Sequence, residues 1–209
     1  MKKLFFCFGL LSLLLLPLCG CFSGAATTAG GHKYLISAIG FDYDEEITVT
    51  IEAVAVNSED AAGKKRILIG GSGKTPEEAM KKAQQKATQP FDLSHCGAII
   101  IGEGIKGRKF DEICDYCYDT DEITFSVYMV AAENAEKLLK PDPVSSVAVG
   151  YDIMSMLDRE EESTHTDFKN SLYEVTAEKE GKKGVVALPF LQVSQDYREI
   201  ISLKIFDLR

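Results

Sequence analysis

The apolar positions of this chain fall into three patterns, and each predicts a different kind of element. Residues 4–18 are an almost continuous apolar run behind the basic Met1-Lys2-Lys3. The run is shorter than the roughly 20 residues a helix needs to cross a bilayer, so it predicts an export signal and not a membrane span. Alternation is the second pattern. Residues 47–57 set Ile47, Val49, Ile51, Ala53 and Ala55 on one side and Thr48, Thr50 and Glu52 on the other, which predicts a half-covered antiparallel strand. Residues 33–41, 66–69, 124–131, 185–193 and 199–208 also read as strands. Ala98-Ile99-Ile100-Ile101-Gly102 is apolar throughout, as in a strand covered on both faces.

The third pattern is helical. Residues 76–87 carry a stripe of Ala79, Met80, Ala83 and Ala87, with Lys81, Lys82, Gln84, Gln85 and Lys86 facing water, and the alanines are small enough for the helix to lie close on a sheet. Residues 109–118 place Phe110, Ile113, Cys114, Cys117 and Tyr118 at i, i+3, i+4, i+7 and i+8. A short helix at 134–139 ends at Pro141-Asp142-Pro143, which marks the one good internal boundary. Beyond it, 144–157 and 167–175 read as helices joined by the charged segment 158–166. The fold class is α+β, a mixed or antiparallel sheet with packed helices, preceded by a lipoprotein signal peptide. The expected organisation is a signal peptide at 1–20, a flexible tether at 21–33, an α+β domain at 34–140, and a helical segment at 141–209 that opens a further β region. The last strand, 199–208, runs off the end of the chain with no obvious cap, so the chain reads as cut short.

Chemistry enters first at the end of the export signal. Leu18-Cys19-Gly20-Cys21 has a branched residue at −3 and a small one at −1 before a cysteine, the pattern of a bacterial lipobox. The thiol of Cys21 would take a diacylglycerol, and cleavage would leave it as a lipidated N-terminus. The following 22–31 is rich in Gly, Ala, Ser and Thr, suited to a tether. Removing residues 1–20 takes away two lysines, so the mature net charge is 21 − 32 = −11. Such an acidic chain repels phosphate backbones, and no basic stripe with interleaved aromatics is present, so nucleic acid is excluded as a partner.

Gly71-Ser72-Gly73-Lys74-Thr75, between a strand and a helix, invites a phosphate-site reading. A Walker A loop needs a glycine five positions before Gly73, where Leu68 stands. Thr75, Pro76 and Glu78 instead fit N-cap, N1 and N3 of a capping box, and the glycines read as a hairpin or βα turn. Cys114-x-x-Cys117 has no second CxxC or paired histidines to complete a metal site. Both sulfurs sit on the apolar stripe, which favours buried core thiols over a disulfide; an exported location would permit one, with Cys96 as a candidate partner. His32, His95 and His165 are isolated, and the acids at 158–162 read as a solvated linker, so no catalytic constellation, metal site or cofactor site emerges.

In combination, several stretches resemble the N-terminal region of the Ger(x)C lipoproteins, the C subunits of spore germinant receptors. These are Ile39-Gly40-Phe41-Asp42, Ser72-Gly73 through Ala83, His95 followed by Ile99-Ile100-Ile101-Gly102-Glu103, Glu122-Ile123, Ala135 through Leu139, and Ala187-Leu188-Pro189. The resemblance covers residues 34–208, and the lipobox at Cys21 fits it. It implies a non-enzymatic lipoprotein on the outer face of the spore inner membrane, with membrane-embedded A and B subunits as partners and no cofactor beyond the acyl lipid on Cys21. A stand-alone surface lipoprotein that binds a small molecule or peptide is the second reading, and an NTP-using enzyme a distant third.

Overall fold

The computed structural model describes residues 33–56, 64–144, 146–164, 170–181, 185–194 and 197–207. The signal peptide, the lipobox and the tether lie outside them. The described residues form an eight-stranded mixed sheet with helices on both faces, which bears out the α+β class.

β1 (Tyr34–Tyr43), β2 (Ile47–Val56) and β3 (Lys64–Gly73) form an antiparallel meander. The short β4 (Phe91–Asp92) and β5 (Ala98–Gly102) run parallel to β1, β6 (Tyr128–Ala132) parallel to β5, and β7 (Val185–Ser194) parallel to β6. β8 (Tyr197–Asp207) closes the sheet by pairing antiparallel with β7, giving the order β3-β2-β1-β5-β6-β7-β8. β5 is buried at every position, as its unbroken apolar sequence predicts.

One face carries α1 (Pro76–Lys86), α2 (Arg108–Asp119) and α5 (Leu172–Glu180), whose Ala79, Met80, Phe110, Ile113 and Leu172 share a core with Ile39, Ile51 and Ile99. The other carries α3 (Ala135–Leu139) and α4 (Val149–Thr164), packed on Ala38, Ile100 and Val130 through Leu138, Ile153 and Leu157. Both alternating sides of β2 are therefore covered. Its polar side, expected in water, puts Glu52 at zero exposure and Thr50 at 5%.

The glycines before α1 are not a turn. Gly70, Gly71 and Gly73 continue β3 opposite Thr50, Val49 and Ile47. A Cβ on Gly71 would collide with the Ala79 carbonyl and stand 2.5 Å from the Ala83 nitrogen, and one on Gly73 would stand 2.5 Å from Glu78 Cβ. Glycine is used here so that an alanine-faced helix can touch the strand. α1 itself starts as expected, with Thr75 Oγ1 accepting the Glu78 N–H at 3.2 Å. The Glu78 carboxylate, however, reaches back to the Lys74 N–H at 2.9 Å and not to the N-cap itself.

Other expectations shift. The helix expected at 144–157 begins at Val149, after a turn in which Ser146 Oγ takes the Ala148 N–H at 3.2 Å. It continues through Thr164, so the charged 158–164 is helix and not linker. The helix expected from 167 begins at Leu172, where Ser171 and Glu174 make a reciprocal capping box, and runs on to Glu180 through part of the expected turn at 178–184. The strand expected from 124 begins at Tyr128, because the Val127 N–H closes a turn onto the Thr124 carbonyl at 3.0 Å. Pro141 stops α3 but divides no domain, since β7 and β8 extend the same sheet within one compact unit, His32–Arg209.

Candidate functional site

A buried polar cluster lies under α4. Between Ile36 and Ala38 the register of β1 slips, so Ser37 is an extra residue opposite Glu52, a bulge that re-aims its side chain. Ser37 Oγ donates to Glu52 Oε2 at 2.7 Å, and the Gly150 N–H donates to the same oxygen at 2.9 Å. Glu52 Oε1 accepts the Val149 N–H at 2.9 Å and a close hydrogen bond from Arg66 Nε. Glu52 thus caps the start of α4, where two backbone N–H groups lack helical partners and negative charge is favoured. Arg66 also donates to the Leu139 carbonyl. Arg198, on β8, donates to the Leu138 carbonyl at 2.9 Å and the Pro141 carbonyl at 2.7 Å. Burial pulls the Arg198 guanidinium below its usual value, against the pull of Glu52. The cluster joins six elements, β1, β2, β3, α3, α4 and β8, and spends its hydrogen-bonding capacity on them. A carboxylate with about four lone-pair sites and four donors has none left for a substrate.

A second seat holds α3. Asp42, at the end of β1, accepts the Ala135 N–H at 2.8 Å and the Glu136 N–H at 3.1 Å, and Asn134 Oδ1 accepts the Lys137 N–H at 2.8 Å. Burial raises the Asp42 carboxyl above its usual range, opposed by those two backbone bonds. A Cβ on Gly40 would stand 2.8 Å from Ala135 Cβ, and one on Gly102 would strike the Asp42 carboxylate. Gly40, Asp42, Gly102 and Ala135 are residues that the sequence singles out from separate stretches, and the fold brings them together at one helix seat.

Next to that seat the sheet opens. β5 exits toward α2 on one face and β6 toward α3 on the other, the divergence that forms crevices at the carboxyl ends of parallel strands. A groove of about 450 Å³ lies there, lined by Glu103, Asn134, Lys137, Phe190 and Gln192 among others. The Lys204 ammonium pairs with Glu103, holding that carboxyl below its usual range, and lies 5.8 Å from the centre of the Phe190 ring. A wider groove of about 690 Å³ between α1 and α2 is lined by Glu77, Glu112, Asp115 and Asp119. Among the described residues no cluster of histidine, cysteine and acids is placed to hold a metal ion.

The remaining candidates disperse. Leu18, Cys19, Gly20 and Cys21 lie outside the described residues, as do His32 and His165. His95 is exposed in the turn before β5. Cys96, Cys114 and Cys117 are free, buried thiols, and burial pushes Cys96 and Cys114 up to about 12, which makes them inert core groups. Glu52 was not singled out by sequence. Its signal was a lone acid among small and apolar neighbours, with Arg66 arriving one strand later. No described helix is long and apolar enough to cross a membrane.

The model of the spore germination protein N-terminal domain matches residues 32–193. The chain belongs to this family and is a Ger(x)C protein. Among solved structures, the crystal structure of the GerBC protein aligns with 81% of this chain and 48% of its own length, at 11% identity and a TM-score of 0.38. The chain thus aligns with about half of that protein's length. No curated protein matches.

Proposed function

We propose that the chain is a lipid-anchored, non-catalytic C-type component of a spore germinant receptor. In this reading Cys21 carries the diacylglycerol, the fold stands on the outer face of the spore inner membrane, and it works in contact with membrane-embedded A and B subunits in nutrient-triggered germination. The observation that carries the reading is the family match over residues 32–193, joined to the Leu18-Cys19-Gly20-Cys21 pattern upstream of it. Supporting it, the polar groups beneath α4 and α3 are committed to seating those helices and not to chemistry. Cys21→Ala is expected to move the chain from the membrane to the soluble fraction and to abolish fatty-acid labelling. Persistence in the membrane with unchanged label overturns the anchor. The receptor assignment is tested separately, by co-purification of the A and B subunits from solubilised membranes.

The groove at the carboxyl ends of β5 and β6 supports the second reading, a stand-alone surface lipoprotein that binds a small molecule or peptide. A ligand that raises the melting temperature of the isolated chain, with A and B subunits absent, would favour it.

A further inference from the structure

Three aromatic side chains are exposed at one end of the sheet. Tyr118 lies near the end of α2, Phe125 in the turn before β6, and Tyr173 in the first turn of α5, where it is 62% exposed. The rings of Tyr118 and Phe125 stack with centroids 4.8 Å apart, and the Tyr173 N–H donates to the Phe125 carbonyl at 3.0 Å. The stacked pair and, one backbone hydrogen bond away, Tyr173 thus expose aromatic surface from three adjoining segments, a patch at this end. Exposed apolar patches mark interaction sites.

Topology says which end it occupies. β1, β5, β6 and β7 are parallel, so their first residues share an end, and Phe125 lies three positions before β6 begins. The register of β8 puts Ile205, 67% exposed, opposite Ala187 near the start of β7, and Val185 is exposed beside it. The opposite end of the sheet presents Glu103, Glu133 and Lys137. Lys33 leads into β1 at the aromatic end, and it stands 12 positions after Cys21. A chain of that length, fully extended, spans about 40 Å at most.

We infer that this patch docks at the lipid–water interface of the membrane that holds Cys21, an inference that rests on the anchor proposed above. Tyrosine suits such an interface, since its ring enters the acyl boundary while its hydroxyl stays hydrated. Asp119, Asp121, Glu122 and Glu174 are sequence neighbours of the patch and oppose binding to anionic headgroups. Docking therefore depends on the tether, which keeps the patch at a high local concentration beside the bilayer. The anchor would then orient the domain, with the aromatic end toward the membrane and the groove end away from it.

The chain has no tryptophan, so Phe125→Trp supplies a single fluorescent reporter, with Tyr173→Trp as a second should the first fail to fold. The full lipidated chain is reconstituted in phosphatidylcholine vesicles with brominated acyl chains, and sedimentation and emission are read together. The expected result is co-sedimentation with loss of more than half of the Phe125→Trp emission, while Lys137→Trp co-sediments and keeps its emission. Co-sedimentation with Phe125→Trp unquenched overturns the docking and leaves the anchor standing. Failure to co-sediment overturns both. Equal quenching of the two reporters overturns the orientation. Shielding of Phe125→Trp in native membranes but not in vesicles assigns the patch to a protein and overturns the lipid reading.

Discussion

Asp42, which the sequence marks only as part of a family motif, is architecture in the fold. Its carboxylate, at the end of a central strand, turns to meet the first N–H groups of α3, and burial raises its pKa above the ordinary 3.8. A group whose folded pKa exceeds its unfolded one binds more protons when folded in the interval just above 3.8. Its contribution to stability therefore falls as pH rises through that interval. Asp42→Asn removes the titration and keeps one acceptor oxygen, at the expense of the bond to the Glu136 N–H. The variant is expected to be less stable than the parent under acid conditions, with the gap narrowing toward neutral pH, as read by urea midpoints across that range. A gap that widens with pH would mean that the buried charge is not the group responsible.

At the scale of elements, the seat of α1 separates what the sequence reveals from what it conceals. The helix was legible because its stripe, cap and Pro76 are local signals. The strand beneath it was legible only over 66–69; its continuation through Gly70–Gly73 was not, because glycine is rare in strands and common in turns, and only the approach of Ala79 and Ala83 explains Gly71. Two neighbouring glycines test this. Gly71→Ala drives a Cβ into helix backbone, and is expected to cost about 1–3 kcal/mol, the range of an overpacked core. Gly70→Ala meets nothing nearer than the Val49 carbonyl oxygen at 3.6 Å and should be close to neutral. Urea unfolding of the pair decides it, since equal losses would point to strand propensity and not to the helix contact. The late start of α4 was hidden for a related reason. Val144 and Val147 complete an apolar periodicity on paper, yet both are exposed, and Val149, the first residue of α4, has its N–H bound by a carboxylate 97 positions earlier in the chain.

For the whole molecule, that long-range bond is the central fact. The α+β class, most strands and the family resemblance could be read from periodicity and short motifs. The sheet order could not, because it depends on pairings such as β1 with β5 and β6 with β7 that no local pattern encodes. Nor could the role of Glu52, which joins the bulge of β1, Arg66 of β3 and the start of α4 in one buried cluster and so fastens the second helical layer to the sheet. Removing one partner of a buried ion pair leaves the other charge uncompensated, a loss of about 3–5 kcal/mol. Glu52→Gln keeps the size but strips the charge from Arg66 and replaces one acceptor oxygen with a donor facing N–H groups. It is expected to lower stability by that order. Hydrogen exchange should show where the loss falls, because α4 and the segment from Leu138 to Val149 depend on this cluster while α1, α2 and α5 pack on the other face. Faster exchange confined to the α3–α4 layer would identify it as a separately opening unit held by one carboxylate. Uniform acceleration across both layers would mean that the sheet and its helices open together, and that Glu52 stabilises the whole fold without dividing it.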